Sequence, residues 1–319
     1  MSRFLLVTKH GHAGALALGT EIRHWLEKRG VSVAERTHPA TRAADDPGLR
    51  AEADRSDHVL VLGGDGTFLG VARQLAGSSA SILGINFGRV GFLTDVEATD
   101  WRAALEALLG GRLGRTDRTL LAWSLERDGA ELLSGHAVND VVVGRGPLAR
   151  VVNIGLTVSI PATGGTPERA ADIGWIRADG VLVSSPLGSS AYSLSARGPL
   201  VHPAVPALVV NAIAPFLGSM PPLVVPEAAC VRLHCGEGTA DTEIWLTVDG
   251  QEGYPLNPGD SVLVNGVPGG LHLVTGFGGG YLETLRGRGF IRDFARECTC
   301  SASGRDTGAT SEPGAGSNA

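Results

Sequence analysis

Asp57-His-Val-Leu-Val-Leu-Gly-Gly-Asp-Gly-Thr67 is the stretch on which the fold turns. Residues 58–62 are apolar on both faces and run into glycines, the pattern of a short strand covered on both sides. Helical spacing follows from Thr67 to Leu75. Working outward, Phe4–Thr8, Val31–Ala34 and Ser81–Ile85 read as further strands. Ala13–Arg29, with Leu16, Leu18, Ile22 and Trp25 on one side, and Trp101–Leu109 read as helices. Strands alternating with helices predict an α/β domain with a parallel sheet over residues 1–117. From about Arg118 the texture changes. Thr119–Leu125, His136–Val143, Val151–Ile160 and Ile244–Val248 follow one another with turns and few helical stretches. A mainly β domain is therefore expected over 118–275. Residues 276–297 are expected to pack back on the first domain, with helical spacing at Leu282, Leu285, Phe290 and Phe294. The last stretch, 298–319, is Ser-, Gly- and Thr-rich and reads as a disordered tail.

Composition narrows the function. At 319 residues the chain can bury a substantial core. A net charge of −6 argues against a nucleic-acid surface, which needs clustered Lys and Arg. An anionic nucleotide would need a local site of backbone amides and a few arginines. No apolar run approaches the roughly 18 residues of a membrane span, and the N-terminus is unlike a signal peptide. A cytoplasmic protein that binds neither nucleic acid nor membrane is expected. The cysteines fit that compartment: Cys230 and Cys235 fall in alternating apolar sequence, and Cys298 and Cys300 read as incidental reduced thiols.

The chemistry concentrates at Gly63-Gly64-Asp65-Gly66-Thr67. Consecutive glycines let backbone N–H groups approach a ligand closely, and the helix that follows adds free N–H groups and partial positive charge. A phosphate can bind there without a lysine. A carboxylate beside a phosphate is repulsive unless it has a task. It could accept the proton of an attacking hydroxyl, or hold a divalent metal that bridges to the phosphates. In an isolated G-x-D-G the Asp would simply cap the helix. The two glycines before it, the Gly-Thr after it and the buried strand upstream point toward function. The loop is neither a Walker P-loop, for G-x-x-x-x-G-K-[ST] is absent, nor the Rossmann fingerprint.

Gly63–Thr67 resembles the signature shared by NAD kinases, diacylglycerol and sphingosine kinases and 6-phosphofructokinases. Further segments in the same order narrow the resemblance to NAD kinases. These are Leu83-Gly-Ile-Asn-Phe-Gly-Arg-Val-Gly-Phe-Leu-Thr94, Val138-Asn-Asp-Val-Val-Val143, the Gly- and Ser-rich block from Ala178 to Leu200, and Val248-Asp-Gly-Gln251. The resemblance runs from about Phe4 to Phe294. It implies a two-domain NAD kinase-like fold and transfer of phosphate from ATP, or inorganic polyphosphate, to the adenosine-ribose 2′-hydroxyl of NAD. Asp65 would be the general base, with Gly66 beside it. Gly63, Gly64 and Thr67 would receive the donor phosphates, with a divalent ion, magnesium, as charge neutraliser. Asn139 and Asp140 would hydrogen-bond the dinucleotide, and Arg150, Arg177 and Asp179 would line the same cleft. Ser190, Ala191, Tyr192, Ser193, Leu194 and Ser195 would shape the base pocket, and Gln251 would close it. The family is usually dimeric or tetrameric, so a homodimer or homotetramer is implied.

The chain departs from the family pattern in places. Asp140 stands for the more usual Glu, and Ser185 and Ser190 for common threonines. Leu187 stands where a hydroxyl residue is usual, and Ala214–Pro222 lacks the family's His.

Overall fold

The structure, a computed structural model, describes residues 2–38, 46–87, 91–94, 96–147, 151–162, 169–216, 220–237 and 243–290. The chain opens with β1 (Arg3–Lys9), α1 (Ala13–Glu27), β2 (Ser32–His38), α2 (Pro47–Ala53), β3 (His58–Leu62), α3 (Asp65–Gln74), β4 (Ser81–Asn86), β5 (Val96–Glu97) and α4 (Trp101–Leu109). Strands β2, β1, β3 and β4 lie side by side and parallel. Alternation along each strand sends side chains to two cores. Leu5, Val7, Val59 and Val61 meet α2 and α3 through Leu49, Phe68 and Val71. Phe4, Leu6, Leu60 and Leu62 meet α1 and α4 through Ile22, Leu26 and Leu105.

The chain moves from β1 outward to β2, then returns to place β3 on the other side of β1. Strand order reverses at that point, and α1 and α3 consequently cover opposite faces. The crevice outside the carboxyl ends of such strands is where open α/β sheets bind ligands. Gly63–Thr67 begins at the carboxyl end of β3.

The remainder is β-rich: β6 (Gly114–Arg127), β7 (Ala130–Ala137), β8 (Asp140–Arg145), β9 (Val152–Ile160), β10 (Arg169–Ala178), β11 (Gly180–Ser184), a short helix α5 (Tyr192–Ser195), β12 (Ala207–Ile213), β13 (Leu223–Pro226), β14 (Cys230–Cys235), β15 (Ile244–Val248), β16 (Glu252–Leu256) and β17 (Ser261–Thr275). Strands β13, β12, β11, β8, β15 and β16 form an antiparallel sheet. It packs on β6, β9, β14 and β17 through Val141, Val143, Val181, Leu246, Leu121, Leu156, Leu233 and Val264.

Three expectations need correction. First, the parallel sheet does not stop at the end of the α/β region. β17 pairs antiparallel with β6 and β14, and its far end joins β4 in parallel, making one mixed sheet, of eleven strands among the described residues. Second, α1 buries Ala15, Gly19, Ile22 and Leu26, leaving Leu16 45% exposed and Leu18 and Trp25 at the margin. Gly19 decides this: a Cβ there would lie 3.0 Å from the Thr8 methyl, so the helix sits close on β1 along the Gly19 face. Third, His136–Val143 is two strands rather than one, interrupted at Val138-Asn139.

Residues 1–278 form one compact unit, and α6 (Tyr281–Gly287) belongs to a second. Within it the Gly280 N–H donates to Glu283 Oε2 at 3.0 Å, capping the helix. Residues 291–297 and the expected tail, with Cys298 and Cys300, lie outside the described residues. Cys235 is buried and Cys230 half-buried. No helix among the described residues is long and apolar enough to cross a membrane.

Candidate active site

The glycine loop is built to bring a helix end tightly under a strand end. A Cβ on Gly63 would lie 2.7 Å from the Thr67 side chain, so only glycine fits there. Gly64 is the N-cap residue of α3, without a side-chain cap bond, and Thr67 and Phe68 donate their N–H groups to its carbonyl at 3.0 and 3.1 Å. Asp65 lies one residue inside the helix, so the capping alternative is answered by Gly64. A carboxylate in the first turn is favoured by the helix dipole. Its two oxygens point to the segment after β4: Oδ2 accepts the Phe92 N–H at 3.1 Å and Oδ1 the Thr94 hydroxyl at 3.0 Å. Asp65 remains half-buried and Gly66 exposed, so this end of α3 stays open to a reactant.

The second half of the site is held by Asp249, at the turn between β15 and β16 with φ 50°. Its fully buried carboxylate accepts the N–H groups of Val138 (3.0 Å), Asn139 (2.7 Å) and Asp140 (3.1 Å), while its own N–H donates to the Asp140 carbonyl. Backbone donors spent in this way cannot continue a ladder, which is why the chain breaks between β7 and β8. The break presents Asn139 and Asp140 as a corner. Against that corner packs the turn after β11: a Cβ at Gly188 would overlap the Asn139 backbone, and Ser185 Oγ donates to the Val138 carbonyl at 2.5 Å.

The two halves are tied together. Gln251 Nε2 donates to the Gly66 carbonyl at 2.8 Å. Arg73, on the same helix as Asp65, pairs with Glu252 at 3.0 Å and lies 3.8 Å from Asp249. The turn Asp249–Glu252 thus joins the Asp65 helix to the Asn139–Asp140 corner.

Electrostatics separates the two buried carboxylates. Burial first, then the charge of Asp249, pushes Asp140 up to about 7. Burial raises Asp249 too, opposed by its three backbone donors and by Arg73. With those donors in place Asp249 is the partner that carries the charge, and Asp140 the one that holds a proton near neutrality.

The remaining expected residues divide. Asp179 and Tyr192 line a cavity of about 570 Å³ together with Arg145, Gly146, Pro147, Ile213, Trp245, Thr247 and Gly253. That volume is in the range of a small-molecule site. Asp179 is engaged there by Arg145, at 2.8 Å. Arg177 is exposed, its guanidinium 5.3 Å from the Phe216 ring. Ser190, Ala191 and Leu194 are half-buried and Ser195 exposed, whereas Ser193 is wholly buried among core residues beside Gly198. Arg150 lies outside the described residues. Thr94, Asp249, Arg145 and Trp245 are additions that the sequence reading did not single out. Thr94 ends the Leu83–Thr94 motif and Asp249 lies within Val248–Gln251. Arg145 and Trp245 carry no local signal beyond a polar or aromatic residue in a strand.

The ATP-NAD kinase N-terminal domain matches residues 4–113 and the ATP-NAD kinase C-terminal domain matches residues 138–275. The NAD kinase of Nitratidesulfovibrio vulgaris is 46% identical over 293 residues, covering 91% of this chain and 97% of its own length. That of Geobacter sulfurreducens is 33% identical over 288 residues, covering 90% and 97%. Among solved structures, the yeast NADH kinase complexed with NADH shares the fold at a TM-score of 0.76, with 24% identity over 92% of this chain and 89% of that one. An NAD kinase from Archaeoglobus fulgidus in complex with ATP shares it at 0.62, with 22% identity over 85% and 93%. With both domains matched in order and relatives this similar along nearly the whole length, the chain belongs to the ATP-NAD kinase family.

Proposed function

We propose that this chain phosphorylates the adenosine-ribose 2′-hydroxyl of NAD to give NADP, with ATP as donor and Asp65 as general base. The observation that carries this is the placement of one half-buried carboxylate at the open end of α3, beside the exposed Gly66, where the helix dipole favours an anionic ligand. In the step, the ribose oxygen forms a bond to the γ-phosphorus while the bond from that phosphorus to the ADP oxygen breaks. The hydroxyl proton passes to Asp65. Gly63, Gly64 and Thr67 would cradle the donor phosphates. Asn139 and Asp140 would bind the dinucleotide, with Asp179, Tyr192 and the 570 Å³ cavity taking one of its ends. Arg150, Arg177 and the Ser190–Ser195 stretch complete the proposed pocket, and Gln251 closes it.

Magnesium fits this donor set. Among the described residues no group of three His, Cys, Asp or Glu forms a protein cage. Magnesium is commonly bound by substrate phosphates with one or two carboxylates. Asp65, half-buried at the open end of α3, is the carboxylate that would serve, and the ion would neutralise phosphate charge. The proposal extends to inorganic polyphosphate as alternative donor, a homodimer or homotetramer, a cytoplasmic location, and two domains meeting near residues 112–118.

The test is NADP formation from NAD, ATP and magnesium, repeated with polyphosphate. Asp65→Asn is expected to lose activity by about 100- to 10,000-fold while binding NAD normally. Comparable turnover by that variant would remove Asp65 from the reaction.

A further inference from the structure

We infer that Thr94 is the positioning residue of the base, an inference that rests on Asp65 having that role. Thr94 is completely buried, and its hydroxyl oxygen accepts from the Gly91 N–H at 3.2 Å and from Asn86 Nδ2 at 3.0 Å. A hydroxyl has two acceptor sites and one proton to donate. Both acceptor sites are filled by N–H groups that cannot accept in return. The proton therefore has one destination, Asp65 Oδ1 at 3.0 Å. A hydroxyl otherwise free to rotate among partners is turned into a fixed donor aimed at the carboxylate.

The methyl group completes the arrangement. A Cβ at Gly84 would lie 2.5 Å from Thr94 Cγ2, so the methyl occupies the space that glycine leaves on β4. Threonine is stiff at χ1. Seating its methyl there points its hydroxyl at Asp65. The Phe92 N–H holds Oδ2 in the same way from the same segment. The carboxylate plane is thus set by residues 91–94 and not by its own helix. Asn86, itself buried, stands behind Thr94 at the end of β4. The order of support runs from β4 through Asn86 and Thr94 to the base.

The experiment compares steady-state NADP formation by Thr94→Val, Thr94→Ser and Asp65→Asn, with thermal melting as the check on folding. Thr94→Val keeps the shape and deletes the donor. Its kcat is expected to fall between about 10- and 100-fold, as a loosely held catalytic group does, with KM for NAD within about twofold. Thr94→Ser restores the donor and should return kcat to within about threefold of the parent. In the Asp65→Asn background the Val substitution should lower the residual rate no further, because the two residues act as one unit. If valine is not tolerated, Thr94→Ala, which adds no atom to the site, gives the same comparison. A folded hydroxyl-less variant with parental kcat overturns the inference. So does a serine variant as slow as the valine one. Activity in Asp65→Asn would instead overturn the base assignment beneath it.

Discussion

Gly91 offers a way to move the base without touching it. A Cβ built on Gly91 would run into the Asp65 carboxylate, 2.5 Å from Oδ2 and nearer still to Cγ and Oδ1. Ordinary Cβ contacts do not fall below 3.0 Å. Gly91→Ala therefore obliges the carboxylate to swing by on the order of 1 Å, breaking its bonds to the Phe92 N–H and the Thr94 hydroxyl. A misplacement of about 1 Å can cost about 100-fold in rate, or about 2.7 kcal/mol of activation free energy. Overpacking should add a stability loss of about 1–3 kcal/mol. The assay is NADP formation followed by a coupled dehydrogenase, with NAD binding by calorimetry and a melting curve on the same preparation. The expected result is a hundredfold lower kcat, NAD affinity within a few-fold, and a folded protein. A kcat within threefold of the parent would refute the reasoning, since a displaced carboxylate would then be no worse than a fixed one.

Two further outcomes follow from the buried carboxylates. Asp249→Ala strands the N–H groups of Val138, Asn139 and Asp140 in a buried corner; at about 1 kcal/mol or more each, unfolding in urea should show at least 3 kcal/mol lost, with KM for NAD raised tenfold or beyond. Asp140 is raised from 3.8 to about 7, so the folded chain keeps a proton that the unfolded chain releases above about pH 4. The resulting destabilisation grows as pH rises through that window, levels at about 4 kcal/mol above pH 7, and is relieved by acid. Asp140→Asn should flatten this slope, gaining about 2–3 kcal/mol more at pH 8 than at pH 5 in urea unfolding; equal gains at both values would show that Asp140 does not titrate in the window.

The strand–loop–helix around Gly63–Thr67 was legible because it is local: a buried strand, five consecutive residues and a helix sit together in the chain. The α/β alternation and the β-rich remainder were legible for the same reason. What escaped depends on contacts across distance. The Thr94 hydroxyl reaches Asp65 from 29 positions away, and Asp249 reaches Asn139 from 110. Neither separation leaves a trace in local pattern. The break between β7 and β8 was invisible because Val138–Val143 is apolar enough for one strand, and only the distant carboxylate interrupts it. The helix α2 was missed although Asp46, whose side chain accepts the Gly48 N–H, and Pro47 mark its start. Its seven residues bury only Leu49 and Ala53, too few for periodicity to show. The face of α1 was misjudged because Gly19, which has no side chain to count, fixes the contact.

Strand β17 has a consequence for how the chain comes together. Its last residues supply Leu271 and Leu273 to one core of the α/β region and Val274 to the other, and they pair with β4. Those residues leave the ribosome long after the strands they complete. Until then β4 is covered on that side only by the two-residue β5, and the rest is an open edge of the kind on which partly made chains stick to one another. The α/β region is therefore not a module that finishes itself: a fragment cut near residue 117 lacks its closing piece. Severing the chain there should yield a half that clumps unless the late strand is supplied in trans.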